Sequence, residues 1–528
     1  MIIQKQIQLL DCTLRDGGHL NGGRFGKEVI KNIIVELVNA KVDIIELGFL
    51  WNTICDEDTA RFYTIEDVKK FLPKDTGVSK FSLMADFIDL KHLEPCDGSV
   101  EIIRLSFKRH RLDWGIETAR VLMDKGYKVF INPVNCNVYT DEQYIEVIDR
   151  VNQLKPYGFS IVDTFGVMRL RDLTYKYSLV EKNLDPDIVI GLHLHENLGL
   201  ASTLAQQFIQ MASPKRGIVI DGSLLGMGRV PGNLCIEQIM DHLNHEYGKH
   251  YDVEPAFDAI DDYIAPIKKK IPWGYAIPYA LSAKYNLHRT YAEFLMNKWK
   301  LRTSDIERIL SAIPIDKAEL FDETYVEQLY RNYMSVDVDD VQVLEQLKSR
   351  LCHENILLIA PGASINKERS RIENYIHERR PIVFGIHCAP EWIALDYIFF
   401  TNIKRYDVLR NEQKDAVKIV TSNLLRYDKG EGAYVIKYDR VAYHNADYCD
   451  DSVLMILNLL QQLGIEKVTL AGFDGFAKGK DNFYINSLAR SVKDDFSSRV
   501  EEILCRHYKK MDIQFLTESY YSDYKTEK

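Results

Sequence analysis

Over the first 235 residues, short apolar runs alternate with amphipathic stretches of helical length. Eight of the runs read as strands: IQLLDCT, DIIELGF, KFSLMAD, EIIRLSF, YKVFINPV, FSIVDTF, IVIGLHLH and GIVIDGSL. Between them, segments such as GKEVIKNIIVELVNA, DWGIETARVLMDKG, DEQYIEVIDRVNQLKPYG and LASTLAQQFIQMAS space their apolar residues as helices with one covered face do. Strands joined by crossover helices build a parallel sheet, and eight such units predict a TIM barrel with its chemistry in the loops after the strands. Beyond residue 235 the period is mainly helical, in PGNLCIEQIMDHLNHEYG, YDVEPAFDAIDDYIAPIKKK, YALSAKYNLHRTYAEFLMNKW and TSDIERILSAI. From NILLIAPG onward strands return, with PIVFGIH, RYDVLR and DAVKIVTS, then IEKVTLAGFDG behind the helix SVLMILNLLQQLG, and a last helix and strand in VEEILCRHYKKMDIQFLTES. The expected architecture is α/β: a TIM barrel over 1–270, a helical extension over 271–345, and a second, Rossmann-like α/β domain over 346–528.

Size and composition narrow the class. A chain of 528 residues needs more than one core. With 46% apolar and 27% charged residues it belongs with folded rather than disordered proteins. A formal charge of -10 speaks against nucleic acid or an anionic membrane as a partner. No apolar run is long enough to span a bilayer, and MIIQKQIQLL lacks the features of a secretory signal. Nine cysteines without a CxxC pair favour reduced thiols, hence a cytoplasmic protein without membrane insertion.

The chemistry gathers behind the strands. Asp16, Asp86, Asn135, Asp163, His193, His195 and Asp221 all fall near predicted carboxyl ends, where a barrel collects catalytic groups. In GLHLHENLGL, His193 and His195 are two apart on a strand, so both imidazoles face one way and can bind one metal. Asp16, in LLDCTLRDGGHL, offers an oxygen from another strand, and such a set suits Mn2+, Mg2+, Co2+, Fe2+ or Zn2+. An open divalent cation polarises a ketone and favours its enolate. Arg15 adds a permanent positive charge, and His19, behind a Gly-Gly turn, adds a titratable group. Arg104 and Asp163 either organise substrate or pair with charges inside the barrel.

Three ordered motifs, DCTLRDGGH, GLHLHENLGLA and DGSLLGMGRVPGN, resemble the DRE-TIM metallolyase superfamily, especially 4-hydroxy-2-oxovalerate aldolases, over roughly residues 5 to 300. The resemblance implies a class II aldolase using Mn2+ or Mg2+, with pyruvate and an aldehyde as partners. It carries Asp16, His193 and His195 over as metal ligands, Arg15 as the group stabilising the pyruvate enolate, and His19 as the acid/base. WGYAIPYALSAKY resembles the segment that supplies a tyrosine beside that histidine, with Tyr279 the preferred match and Tyr275 the alternative. Asn135, Asn197 and Asn233 are candidates for substrate or supporting contacts, Asn233 otherwise capping the following helix. Gly18 stands where these aldolases commonly have serine, and Glu196 where they commonly have a second consecutive histidine. His19 favours the aldolase branch over the acyl-CoA condensing branch, whose motif usually ends in Glu.

In the second domain, Gly362 and Ser364 of NILLIAPGASINKER, with Gly472 and Asp474 of IEKVTLAGFDGF, form a candidate nucleotide site at a strand-to-helix turn. These segments faintly resemble bacterial sialyltransferase-like domains over residues 350 to 480, which implies a nucleotide-sugar ligand, a second, transferase activity and a sugar-derived aldehyde in glycan biosynthesis. His387 and His444 are the histidines available to such a site. A homo-oligomer is compatible with the aldolase reading. The competing class is a nucleotide-sugar-binding or transferase protein whose barrel is a structural or interaction module. It predicts no metal at Asp16, His193 and His195.

Overall fold

The computed structural model describes residues 6–54, 56–86, 89–90, 92–443, 449–475, 483–484 and 496–522, so His444 lies outside the described residues. Two compact units divide the chain, Met1–Ala292 and Glu293–Lys528.

In the first unit, β1 (Ile7–Asp11), β2 (Ile44–Leu50), β3 (Lys80–Asp86), β4 (Ile102–Phe107), β5 (Lys128–Pro133), β6 (Gly158–Val162), β7 (Val189–His193) and β8 (Ile218–Gly222) pair in parallel, each with the next. β1 also pairs with β8, from Ile7 opposite Ile218 to Asp11 opposite Gly222, and this closes the ring. A two-residue strand, Arg61–Phe62, lies beside the end of β2 outside the ring. Crossover helices cover the outside as their patterns predict. In α1 (Lys27–Asn39), Ile30, Ile33, Ile34 and Leu37 recur at helical spacing and are fully buried; each such side chain contributes about 1.5–3 kcal/mol. α2 (Asp141–Leu154) starts at Thr140, whose hydroxyl accepts the Gln143 N–H while the Gln143 side chain accepts the Thr140 N–H, a cap of about 1 kcal/mol.

The barrel interior changes character along the strands. At one level Leu10, Ile44, Ile102, Phe130 and Val219 form an apolar plug. Gly158 leaves room for the Phe130 ring, since a Cβ there would lie 2.1 Å from it. Two residues further along the same strands, hence on the same face, stand Glu46, Arg104, Asn132 and Asp221, all buried. The plug supports a charged layer directly beneath the carboxyl ends.

The second unit is an open parallel sheet. Its strands are β9 (Ile356–Ile359), β10 (Ile382–Ile386), β11 (Tyr397–Phe400), β12 (Val417–Thr421), β13 (Tyr434–Ile436), β14 (Lys467–Ala471) and β15 (Asp512–Phe515), in the order β13-β12-β11-β10-β9-β14-β15. The order reverses between β9 and β14, the place where such sheets open a crevice. One expected strand is not there: RYDVLR lies in a helix, Ile403–Leu409, and the strand is the preceding Tyr397–Phe400. Asn402 caps that helix by accepting the Lys404 N–H at 2.9 Å, and Ile403, Tyr406 and Leu409 share its buried stripe, so capping and tertiary burial override the local β preference. The helices Thr303–Leu310, Glu323–Met334 and Val341–Leu351 belong to this unit.

A largely buried ion pair pins it together. Asp450 accepts hydrogen bonds from the hydroxyls of Tyr330 at 2.6 Å and Tyr438 at 2.7 Å, and lies 3.6 Å from the Lys300 ammonium. Burial by itself would raise the Asp450 carboxyl, but Lys300, Lys298 and the two phenols outweigh it and hold it below the usual range. A lowered folded-state value gives stability that is present above the unfolded carboxylate range, near pH 4, and lost as pH falls through the folded value. Asp450→Asn is therefore expected to destabilise the second unit by about 3 kcal/mol at pH 7. The deficit should shrink below about pH 4, and urea unfolding of the whole chain at several pH values measures it.

Candidate active site

β1 ends at Asp11 and the chain turns at once through the short helical segment Thr13–Asp16. The Thr13 amide and hydroxyl donate to the Asp11 carboxylate at 2.9 and 2.7 Å, so Asp11 shapes the turn. Burial raises its carboxyl to about 7. The turn presents Arg15 and Asp16, both buried, and His19 follows at the rim with 41% of its side chain exposed. Burial would raise Asp16, but Arg15, with the histidines 19, 195 and 193 around it, holds it well below the usual range.

His193 ends β7 and His195 stands two residues on, with ring centroids 4.9 Å apart. The Nδ1 of His193 lies 3.0 Å from an Asp221 carboxylate oxygen, and the Nδ1 of His195 lies 2.9 Å from the Asp163 carbonyl oxygen. Both oxygens accept, so each Nδ1 donates and each Nε2 keeps its lone pair. Burial, with His193 beside it, lowers His195 to about 3, which keeps that ring neutral. The ligand atoms of Asp16, His193 and His195 all lie within 4.8 Å of one another. Two oriented imidazole lone pairs and an ionised carboxylate fit a divalent cation, and the carboxylate and carbonyl behind the rings are the usual supports of such ligands.

Behind the triad runs a continuous charge network. Arg15 donates to Glu46 at 2.6 Å and to Asp16 at 2.7 Å. Arg104 donates to Glu46, to Asn132 and to Asp221, so Glu46 is shared by two guanidiniums and Asp221 by Arg104 and His193. Asp221→Asn, which replaces one accepting oxygen by a donor, is expected to weaken divalent-metal binding by roughly 10- to 100-fold. Calorimetric titration of Mn2+ measures this, and an unchanged Kd would contradict the arrangement.

Other sequence candidates separate into those at the triad and those supporting its loops. Asn233 donates to Asp16 at 2.6 Å and does not cap the following helix, Ile236–Tyr247. Gly228 packs against this pair: a Cβ would lie 2.3 Å from the Asn233 amide and 2.7 Å from the Asp16 carboxylate. Arg104 lies in the charged layer beneath. The Asp163 carboxylate accepts from Asn137, Val167 and Met168, so it closes its own loop while its carbonyl orients His195. Asn135 is buried in a left-handed turn, its amide donating to Thr164, and Asn197 is buried beside Gly166. Tyr279 is half-buried in the first turn of the helix Ile277–Lys284, and Tyr275, just before it, is exposed. Glu46 carries no role in the sequence reading, although a single acid within the apolar run IIELGFL was a readable signal of a buried partner.

In the second unit the structure brings Gly362, Ser364, Gly472 and Asp474 together at the switch point between β9 and β14. The Gly362 amide donates to the Gly472 carbonyl at 2.8 Å, and the Ser364 amide and hydroxyl both donate to the Asp474 carboxylate. Those donors are engaged by an acid of the chain itself. His387 is buried, its Nε2 accepting the Thr401 N–H at 2.8 Å.

Residues 113–261 match the HMGL-like family model. The barrel is thus similar to HMGL-like domains of the DRE-TIM metallolyase type, and it carries a candidate metal site. Among its relatives, a 4-hydroxy-2-oxovalerate aldolase of Geobacillus genomosp. 3 is 23% identical over 275 residues, covering 50% of this chain and 78% of the relative. One from Pelotomaculum thermopropionicum is 25% identical over 252 residues, covering 46% of this chain and 70% of the relative. A solved hydroxymethylglutaryl-CoA lyase from Pseudomonas aeruginosa superposes with a TM-score of 0.40 at 16% identity, over 50% of this chain and 93% of that one. Among the described residues, no helix is long and apolar enough to cross a membrane.

Proposed function

We propose that the barrel catalyses aldol condensation or cleavage between pyruvate and an aldehyde, through a 4-hydroxy-2-oxo acid. The observation that carries this reading is the convergence of two imidazole lone pairs and one ionised carboxylate beside Arg15 and His19. Asp16, His193 and His195 would hold Mn2+ or Mg2+, which when bound supplies Lewis-acid polarisation of a keto oxygen. Arg15, fixed by Glu46 and Asp16, sets a permanent positive charge where negative charge develops on pyruvate. In condensation the pyruvate methyl group gives up a proton, its carbon bonds to the aldehyde carbon, and the aldehyde oxygen takes up a proton; cleavage is the reverse. The Nε2 of His19, 3.7 Å from Asp16, delivers or removes the proton at that oxygen, with Tyr279 as its phenolic partner. Burial, with Arg15, Arg229 and Arg289 nearby, lowers His19 despite Asp16, which keeps the ring neutral near pH 7.

The test is exchange of the pyruvate methyl protons in D2O, with and without Mn2+, followed by an aldehyde panel read by product mass. Metal-dependent exchange and a new 4-hydroxy-2-oxo acid are expected. Verified metal binding with neither would point to a different enolate reaction. A nucleotide-sugar at the second unit would have to displace Asp474 from Ser364, and titration of the whole chain with CMP-sugars tests for it.

A further inference from the structure

β2 carries one residue more than its neighbour. Glu46 stands opposite Ser82 of β3 and Phe49 opposite Met84, so three steps along β2 match two along β3. In a regular strand residues three apart face opposite ways, and the extra residue turns Phe49 back to the side of Glu46. The short strand Arg61–Phe62 braces this irregularity from outside the ring. The Phe49 N–H donates to the Ala60 carbonyl at 3.1 Å, and Phe49 pairs with Arg61. Gly48, at φ 149°, permits that approach, since a Cβ there would lie 2.1 Å from the Ala60 oxygen.

Re-aimed in this way, the half-buried Phe49 ring meets two groups of the candidate site. It stands edge-on to the His19 imidazole, with centroids 5.5 Å apart and planes at 67°, a favourable arrangement of two aromatic rings. The Arg15 guanidinium carbon lies 6.0 Å from the same ring centre. The two contacts carry unequal weight. Arg15 is already clamped by salt bridges to Glu46 at 2.6 Å and to Asp16 at 2.7 Å. His19 sits at the rim with its Nε2 3.7 Å from Asp16, beyond hydrogen-bond length. A single helical turn, Gly18–Asn21, carries it, and a side chain on so short a segment takes its direction from what it packs against.

We propose that Phe49 is a positioning residue, whose ring holds the His19 imidazole in the direction from which it exchanges a proton with the aldehyde oxygen. The role rests on the aldolase reading and extends it to a residue that acts through His19. Proton transfer needs donor and acceptor within hydrogen-bond reach, so an imidazole left to swing across the rim loses rate while metal and pyruvate still bind.

The experiment sets F49L against F49Y in the whole Mn2+-loaded chain. Leucine keeps apolar bulk without a ring, and tyrosine keeps the ring. Two processes are read: exchange of the pyruvate methyl protons in D2O, which draws on the metal and Arg15, and condensation of pyruvate with acetaldehyde, glycolaldehyde or glyceraldehyde. The expected result is a kcat for condensation roughly 10- to 100-fold lower in F49L, with KM and proton exchange close to the parent, and parental behaviour in F49Y. Calorimetric titration of Mn2+ checks that each variant keeps the folded site, and F49M takes the place of F49L should leucine lose it. Parental kcat in F49L would overturn the inference, because the ring would then be dispensable. Equal losses in exchange and condensation would also overturn it, since Phe49 would then serve Arg15 or the fold, and so would an F49Y as impaired as F49L. A parent chain that gives no product with any of the three aldehydes would instead overturn the aldolase reading, and the role of Phe49 with it.

Discussion

Replacement of His193 by alanine is expected to lower metal-supported exchange of the pyruvate methyl protons by more than about 10^3-fold and to raise the Mn2+ Kd in parallel. The expectation rests on the direction in which the ring is held. Asp221 takes the Nδ1 proton, so Nε2 is the nitrogen left for a cation, and it converges with His195 and Asp16. Alanine removes that lone pair while Asp221 keeps Arg104 as a partner, so the damage should be to binding rather than to folding. A useful control is H245A, since His245 is exposed on a helix and pairs with its neighbour Glu246; it should match the parent in both measurements. Exchange by H193A at the parental rate with metal still bound would rule out the triad as the site.

Arg104→Met is expected to destabilise the barrel by about 3–5 kcal/mol, a fall of roughly 10 °C in Tm for a unit of this size. Arg104 is 2% exposed and is the cation between Glu46 and Asp221, so its loss leaves two acids facing each other in the interior. In the intact barrel burial alone would raise Asp221, but Arg104 and His193 outweigh it and hold it low. With Arg104 gone, burial acts on Asp221 with much less opposition and raises it above its unfolded value. The penalty of a raised carboxylate is present at neutral pH and relieved as pH falls through the raised value. The gap between parent and R104M should thus be widest near pH 7 and narrow toward pH 5, which unfolding midpoints across that range will show. A constant gap would mean that the loss is one of packing.

Much of this was legible in the residues. The eight barrel strands appear as apolar runs ending in polar residues, because strand period and chain turns are local properties. The same locality placed His193 and His195 on one face from their spacing alone. It failed at RYDVLR, where the cap at Asn402 and burial of Ile403, Tyr406 and Leu409 against the second core decided for helix. It also passed over Glu46 and Phe49, whose meaning depends on what stands opposite them.

The amino-acid sequence by itself determined the class of fold, the order of strands and helices in the barrel, and the stations of Asp16, His193 and His195 at strand ends. Only the tertiary structure decided that β8 returns to β1, bringing Asp16 to the histidines and Arg104 to Asp221. It also decided which ring nitrogen each histidine turns inward, through the oxygens of Asp221 and Asp163. These are relations between residues far apart in the chain, and they exist only once closure of the barrel has made neighbours of them.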